Sequence, residues 1–568
     1  MPNYGNPFAQ SLDMHGYGLT NGYQNIVIML NGVRLNNIDS VPAMLSTISP
    51  SSVSRIEIIK SSGIISAGNG ANAGVINIIT KTKNLKQITL YGGTYDTAAG
   101  SFYVGSVGKR LSISASGEAR KFGGIRYIDG SGNRARNKLS DGRLHISYKA
   151  TKKLTLKADE SFTRSDVFYT GYLTKQQYNS DVYQQGSGAT RQTYNTDTTT
   201  VGADYKIDSH LGLHVNTSHK TIESDYLAYK SLSGYKYNSL KASLKYNYSI
   251  LRVIGGAYVF NGTRRSDSSY SHTFTKKSNR SGFISARVQK GKSSFKAGYR
   301  LSRVNYYFLD KSKQASYTLY GLTLGYNYLL AKGSSVFFNY THAYQTPSID
   351  DFFGYNSTTY QQFFIGSALK PMQTDNYTLG YNNFKSNNIL KISTYYISLH
   401  NELFYYSGTP ISKNTNIDKS HKYGLDFYDK HIINSHYNIA LNYNYTQAII
   451  DKEKIGNNNY AGKHLPGVSN NSIKITLSYL PNQKTTFRIT EVHRSAAYAA
   501  DDFGNDFTQR QAPYNSTDIS FAYTQKTWQV FAKINNLFNQ KNGLWIKDND
   551  IYPVNFTTTA IAGVKLIF

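Results

Sequence analysis

The chain has 568 residues, of which 39% are hydrophobic and none is cysteine, and its formal net charge is +29. The lack of cysteine excludes disulfides, thiolate catalysis and thiolate-bound zinc or iron–sulfur clusters. No run approaches the roughly 18 apolar residues of a helical membrane span, and no recognisable nucleic-acid-binding module accompanies the positive charge, so nucleic acid is not an expected partner.

The first 84 residues are predicted to form a small folded unit. The apolar runs 26–30 and 75–79 are short and rich in β-branched residues, which is typical of buried strands. The Gly-rich segment 68–74 is not followed by a helical pattern. A phosphate-binding loop is therefore not supported.

Beyond residue 84 the chain alternates polar and apolar residues up to its end. Leu111, Ile113 and Ala115 share one face of such a segment, and Ser112 and Ser114 share the other. In a membrane-spanning barrel the apolar face meets lipid and the polar face lines the lumen. The 50 Tyr and 27 Phe residues suit the aromatic girdles of such a barrel. The alternative is a soluble Tyr-rich β-sandwich or propeller, although no repeat of propeller period is visible.

Turns of two lengths separate the alternating segments. Short turns are predicted at 107–109, 150–153, 289–292 and 481–484. Longer polar loops are predicted at 169–200, 261–279, 346–370, 449–466 and 499–514. Transporters with a plugged lumen have about 22 strands, which leaves roughly 22 residues for each strand and its connection. The prediction is an all-β transmembrane barrel (85–568) of about 22 antiparallel strands, with a partial α/β plug domain (1–84) inside its lumen.

Several motifs, taken in order, resemble those of TonB-dependent outer-membrane receptors. In the first unit these are Asn-Gly-Val-Arg-Leu (31–35), Arg-Ile-Glu-Ile (55–58) and Gly-Val-Ile-Asn-Ile-Ile-Thr-Lys (74–81), which resemble the plug domain of that family. In the second they are Tyr-Gln-Thr-Pro-Ser (344–348), Leu-Lys-Pro (369–371), Gly-Leu-Asp-Phe (424–427) and Asn-Leu-Phe-Asn (536–539), which resemble barrel segments. Asn31, Met372 and Thr378 depart from the usual acidic residues, and His15 stands where Arg is usual.

The resemblance also bears on the N-terminus. Residues 1–7 contain no charged region followed by an apolar core, so no signal peptide is expected there. Receptors of this family carry an energy-coupling segment and further plug residues ahead of the segment that begins at Asn25. We therefore expect the chain to start inside the plug, and expect the TonB-ExbB-ExbD complex to be the partner of a full-length form.

The resemblance assigns roles to particular residues. Candidate substrate-binding residues share a place on loops at the plug apex: Tyr17, Asn21, Asn36, Asn37, Asp39 and Ser40. Arg55 and Lys60 of the plug are expected to pair with Asp426 of the barrel. The terminal Phe568 is expected to be the assembly signal of an outer-membrane barrel.

The implied function is TonB-dependent uptake of a scarce metal complex across the outer membrane. The positive charge favours an anionic ferric siderophore, whereas the small barrel and compact loops resemble cobalamin receptors, which stay an alternative. Haem is disfavoured because no histidine lies between Pro347 and Leu369. A leaky passive channel, left by an incomplete plug, is a second alternative. Outer-membrane lipid and lipopolysaccharide are the expected surroundings.

Enzymatic activity and bound cofactors are not expected. The 13 His residues include no Ser-flanked elbow and no His-Glu-x-x-His. Asp501, Asp502 and Asp506 are a weak candidate for a calcium loop, but carboxylate-rich loops are more often simply solvated.

Overall fold

The computed structural model describes residues 2–3, 6–10, 12–18, 22–41, 45, 48–268, 272–356, 358–359, 361–407 and 410–568. Among these residues, no helix has both the length and the apolar character needed to cross a membrane.

Four strands between residues 26 and 80 form the plug sheet. They are β1 (Ile26–Leu30), β2 (Val33–Arg34), β3 (Val53–Ile59) and β4 (Gly74–Thr80). Their order in space is β2-β1-β4-β3, with β1 and β4 parallel. Ile26 and Ile28 of the central strand are buried, as the β-branched run predicts, because both of its faces are covered. Ile56 and Ile58 of the edge strand β3 are exposed.

Short elements flank this sheet. Strands Pro2–Asn3 and Asn6–Gln10 form a hairpin ahead of it. The 3₁₀ helices Gly22–Asn25 and Pro50–Ser52 precede β1 and β3. Helix α1 (Ile64–Ala67) lies between β3 and β4 and packs against the barrel wall, where Gly321 leaves room for Ile64.

The rest of the described chain forms a closed barrel of 22 antiparallel strands, which confirms the predicted fold class. In chain order these strands are β5 (Leu85–Gly93), β6 (Thr97–Val107), β7 (Leu111–Phe122), β8 (Asn137–Lys149), β9 (Leu154–Tyr169), β10 (Thr190–Lys206), β11 (Leu211–Tyr226), β12 (Ser231–Tyr248), β13 (Leu251–Asp267), β14 (His272–Lys290), β15 (Ser293–Phe308), β16 (Lys313–Ala331), β17 (Ser334–Gln345), β18 (Met372–Phe384), β19 (Asn388–Ser407), β20 (Ile411–Ile432), β21 (Tyr437–Lys452), β22 (Asn471–Asn482), β23 (Thr485–Arg494), β24 (Tyr514–Thr524), β25 (Trp528–Asn535) and β26 (Thr559–Ile567). Strand β26 pairs with β5 and closes the cylinder.

The alternation along the strands divides the wall into an outer and an inner face. Leu111 and Ile113 of β7 are 49% and 40% exposed, while Ser114 and Ser116 are buried toward the lumen. On this strand the outer side chains are apolar and the inner ones are polar, which is the pattern of a barrel wall whose outer face meets lipid.

The two ends of the barrel differ in the length of their connections. One end, here called the turn end, carries turns such as 291–292 and 483–484. The other, the loop end, carries the long connections 346–371 and 495–513. The prediction of a long loop at 261–279 is wrong, since β13 and β14 stay paired from Asp267↔His272 downward. This hairpin has polar residues on both faces near its tip, which hides the alternation but leaves the hydrogen-bonded ladder intact.

The loop-end connections contain short elements of their own. The helices are α2 (Lys175–Ser180) and the 3₁₀ turns Leu227–Tyr229, Leu309–Lys311, Asp350–Phe352 and Gly366–Ala368. The strands are Phe353–Asn356, Gln362–Phe364, Lys454–Ile455, Asn458–Asn459, Ala497–Tyr498, Arg510–Gln511, Gly543–Lys547 and Asp550–Pro553.

Candidate functional site

The predicted apex loop, residues 36–40, follows β2 and is fastened both to the plug and to the barrel wall. The Asn36 side chain accepts the Ile28 N–H at 2.9 Å and donates to the Ile26 carbonyl at 2.9 Å, so it shapes the plug itself. The Asn37 amide donates to the Tyr194 hydroxyl of β10 at 3.1 Å. Both side chains also line the space beside the wall, but the Asn36 amide is already bonded to the plug backbone.

Asp39 lies at the centre of a buried polar cluster. Its carboxylate accepts a hydrogen bond from the Tyr235 hydroxyl at 2.7 Å and lies 3.4 Å from the Arg264 guanidinium. The same Arg264 group contacts Asp350 at 2.6 Å. Burial, and after it the charge of Asp350, raises the pKa of the Asp39 carboxyl above its usual range. Arg264 thus joins the plug carboxylate to a carboxylate of the connection 346–371.

Ser40 makes a second set of contacts with the same connection. Its N–H donates to Asp350 at 3.1 Å, and its hydroxyl lies 2.8 Å from the Ser348 hydroxyl. Burial raises the pKa of the neighbouring Asp351 to about 6. We call Asp39, Ser40, Arg264 and Asp350 the latch, because they tie the plug apex to the loop end of the barrel.

An aromatic cluster surrounds Ile38, which is 3% exposed. Its buried members come from the wall and from the connection 346–371: Tyr194, Ile222, Tyr235, Tyr237, Val304, Tyr306, Phe308, Ala315, Ile349, Phe352 and Phe353. The apex loop is therefore held by packing as well as by the latch. In this state Ile38 and Asp39 are buried and Ser40 is half-buried.

A cavity lies between the plug and the wall strands β10–β15, and we call it the basic cavity. It holds about 1070 Å³ of space, part of it open to solvent. The charged residues that line it, among those the structure describes, are all cationic: Arg34, Lys220, Lys241, Lys277 and Arg300. Within the part of the chain that the structure describes, none of the five forms an ion pair. Such a surface attracts anions.

The opposite side of the plug is held by ion pairs. The Lys60 ammonium lies 3.1 Å from Asp426 of β20, and the His15 imidazole lies 3.6 Å from the same carboxylate. Arg55, the other plug cation expected at Asp426, pairs instead with Glu57 at 2.8 Å. Arg55 and Glu57 are two residues apart on β3, so their side chains share a face and meet each other before either can reach the wall.

Tyr17 packs against a buried ion pair of the wall. Its ring lies 4.7 Å from the Lys422 ammonium, which contacts Glu402 at 2.6 Å. Tyr17 is 6% exposed and therefore supports the plug rather than facing a ligand in this state. Asn21, the other residue of this predicted apex, lies outside the described residues.

Two predicted features lie far from the plug. The Phe568 N–H donates to the Lys86 carbonyl at 2.9 Å and extends the pairing of β26 with β5, while its ring is exposed. The acidic loop does not converge on one point, since Asp502 accepts the Asp506 N–H at 2.9 Å and Asp501 faces Lys547 at 4.0 Å. No group of three or more metal-ligating side chains occurs among the described residues.

Sequence reasoning missed the cations of the basic cavity. The polar and apolar residues of these strands alternate, and the inward-facing positions include Lys220, Lys277 and Arg300. The sequence therefore does indicate that these three side chains point into the lumen. Their convergence on Arg34 depends on the strand register and on the position of the plug, neither of which the alternation specifies. The sequence does give an indication of the contact between His15 and Asp426, because His15 stands where the resembled family usually has an arginine.

Comparison with known proteins places these features in a family. Residues 80–537 match the family model described as TonB dependent receptor-like, beta-barrel, and residues 1–75 match the TonB-dependent Receptor Plug Domain. A search of curated proteins finds no match.

Several solved structures share the fold at low sequence identity. The unliganded ferric citrate transporter FecA superposes with a TM-score of 0.84 at 14% identity, covering 99% of this chain and 91% of that one. The siderophore receptor PiuA from Acinetobacter baumannii gives a TM-score of 0.80 at 13% identity, covering 100% and 92%. The copper transporter OprC gives 0.79 at 13% identity, covering 96% and 90%. At these identities the likeness establishes the fold alone.

Proposed function

The chain belongs to the TonB-dependent outer-membrane receptors, and we propose that it takes up a ferric siderophore across the outer membrane. The observation that carries this proposal is the basic cavity, which five cations line and which no carboxylate lines among the described residues. An anionic iron complex matches such a surface better than a complex of low charge does. The ferric citrate transporter and the siderophore receptor among the similar structures support an iron complex as cargo.

Uptake through this barrel requires the plug to rearrange. The latch and the aromatic cluster hold the apex loop against the wall, and Lys60 with Asp426 holds the other side. A substrate shifts the equilibrium between the closed and the opened plug only by as much as its affinities for the two arrangements differ. The TonB-ExbB-ExbD complex is the proposed source of energy for the opening.

The test compares two cargoes with the purified chain in detergent. We expect a ferric tris-catecholate to bind at least about 10-fold more tightly than cyanocobalamin, a difference of about 1.4 kcal/mol. Equal or reversed affinities would move the assignment to the cobalamin alternative.

A transport measurement separates active uptake from leakage. Cells that produce the receptor are given radioactive iron as the same catecholate complex, with and without an uncoupler of the proton gradient. Active uptake stops with the uncoupler. Iron entry that continues unchanged would instead support the passive-channel alternative.

A further inference from the structure

The cations of the basic cavity are held by neutral groups. The Arg34 guanidinium donates to the Asn69 carbonyl at 2.6 Å, and the Arg300 guanidinium donates to the Ile65 carbonyl at 3.1 Å. Carbonyl oxygens fix the direction of these groups but leave their charge uncompensated. Burial, and also the nearby charge of Arg300, lowers the pKa of Arg34, which indicates how costly the charged arrangement is without a counterion.

The lysines of the basic cavity also contact neutral groups. Lys220 donates to the Leu35 carbonyl at 3.2 Å and Lys241 to the Ser66 carbonyl at 3.3 Å. The Lys277 ammonium lies over the Tyr306 ring, 4.9 Å from its centroid. Each ammonium therefore keeps donors available for a ligand, because an ammonium has three.

Two carboxylates act on this cavity from its loop end. Asp39 and Asp351 are near enough to interact electrostatically with Lys277. Asp39 already accepts from Tyr235, and Asp351 accepts the Ser348 N–H at 2.7 Å. Neither lines the basic cavity, so its positive charge stays in excess.

We propose that the basic cavity is an internal binding station for a compact polyanion that carries two or more carboxylate or phosphate groups. The inference rests on the proposed function and deepens it, since it names the ligand chemistry of a site beneath the apex loop. Amide and hydroxyl groups of the lining, such as Asn216, Asn279 and Ser218, add neutral donors around the five cations. Charge-assisted hydrogen bonds from several directions are what a polycarboxylate requires.

The basic cavity adjoins other cavities between the plug and the wall, so a ligand bound in it would lie on a path past the plug. A smaller cavity beside Asp39 and Ser348 shares Arg34 and Lys277 with it. A second neighbour, reaching along β8–β11, shares Asn37 and Lys220. The basic cavity therefore adjoins the latch at one side and extends along the wall at the other.

The test titrates citrate into the full chain in detergent micelles, with isothermal calorimetry as the readout. We expect the wild type to bind citrate, and expect K220Q/K277Q to bind it about 100-fold more weakly, because two charge-assisted contacts are lost. The K220R/K277R variant keeps both charges and is expected to bind citrate at least about 10-fold more tightly than K220Q/K277Q does. Acetate, with one carboxylate, is expected to show no measurable binding.

The matched control is K296Q on β15, the strand that carries Arg300. Lys296 does not line the cavity, so the loss of one positive charge there, on the same wall, is expected to alter citrate binding by about twofold at most. Circular dichroism melting of every variant establishes that the barrel is folded. A parallel titration with ferric citrate distinguishes a metal-loaded source of the anion from a free one.

The inference is overturned if neither citrate nor ferric citrate binds the wild type, or if K220Q/K277Q binds as tightly as the wild type does. Binding of the ferric tris-catecholate is measured on the same samples. If the catecholate complex binds and citrate does not, the proposed function is retained and the polyanion site in the basic cavity is rejected.

Discussion

Two parts of the inner barrel wall differ in whether their charged side chains form ion pairs. On the paired wall, formed by β19 and β20, Glu402 contacts Lys422 at 2.6 Å and Asp426 contacts Lys60 of the plug at 3.1 Å. Below the latch residue Arg264, the part of β11–β15 that lines the basic cavity forms the unpaired wall, where Lys220 and Lys277 make no ion pair among the described residues. Paired charges hold the plug in place, whereas unpaired ones remain available to a ligand.

The largest effect is expected from breaking the buried pair of the paired wall. Lys422 is fully buried, so E402Q leaves an uncompensated charge in the lumen and is expected to lower the free energy of unfolding by about 3–5 kcal/mol. Urea unfolding of the barrel in detergent, followed by tryptophan fluorescence, measures this change.

The double variant E402Q/K422M is the control for that result. It removes both charges and is expected to be clearly more stable than E402Q alone, because no buried charge is left unpaired. A double variant as unstable as E402Q would mean that packing around Tyr17, and not charge, stabilises this wall.

A smaller effect is expected from releasing the plug at Asp426. Since Lys60 is half exposed while Asp426 is largely buried, D426N is expected to cost about 1–2 kcal/mol, between the values for exposed and buried pairs. The loss should appear locally, as faster hydrogen–deuterium exchange in β3 and in residues 12–18.

Arg55→Gln is the matched control for this prediction. Arg55 and Glu57 are both exposed and pair within β3, so R55Q should leave exchange in the plug unchanged. If R55Q loosened the plug as much as D426N does, the contact between Lys60 and Asp426 would not be what anchors it.

The fold was accessible to sequence reasoning because lipid imposes a simple requirement. Every segment in the membrane must be apolar on its outer face, as Leu111 and Ile113 are, and this makes strands visible as alternation. The requirement ends where strands leave the lipid. The sequence around Asp267 and His272 therefore predicts a loop, although the two strands are paired there.

The site was accessible only in part. Lys60 meets Asp426 as the family resemblance implies, but Arg55 pairs with Glu57 on its own strand, and this local pair competes with the predicted one. The basic cavity unites Arg34 with Arg300 across 266 positions of sequence. Such a meeting depends on barrel register and plug placement, which no local pattern encodes.

The smallest effect on stability, and the most direct challenge to the contrast between the walls, comes from giving the unpaired wall a carboxylate. Asn279 lines the basic cavity two residues after Lys277, so both side chains are on the inner face of β14. N279D is nearly isosteric and keeps the acceptor for the Ser281 hydroxyl, now 2.8 Å from the Asn279 oxygen. Its free energy of unfolding should change by no more than about 1 kcal/mol, because the desolvation of a new carboxylate offsets its attraction to the lysine.

Citrate affinity, by contrast, should fall by about 10-fold or more in N279D. The new carboxylate would pair with one cation of the cavity and repel the anionic ligand. N305D on β15 is the matched control, because Asn305 contacts Ser278 and Ser316 rather than the cavity, and it should bind citrate as the wild type does. If N279D kept full affinity, the excess of positive charge would not be what selects the anion. A loss of affinity in N279D at nearly constant stability would mean that the missing carboxylates of this wall serve binding, at little cost to the fold.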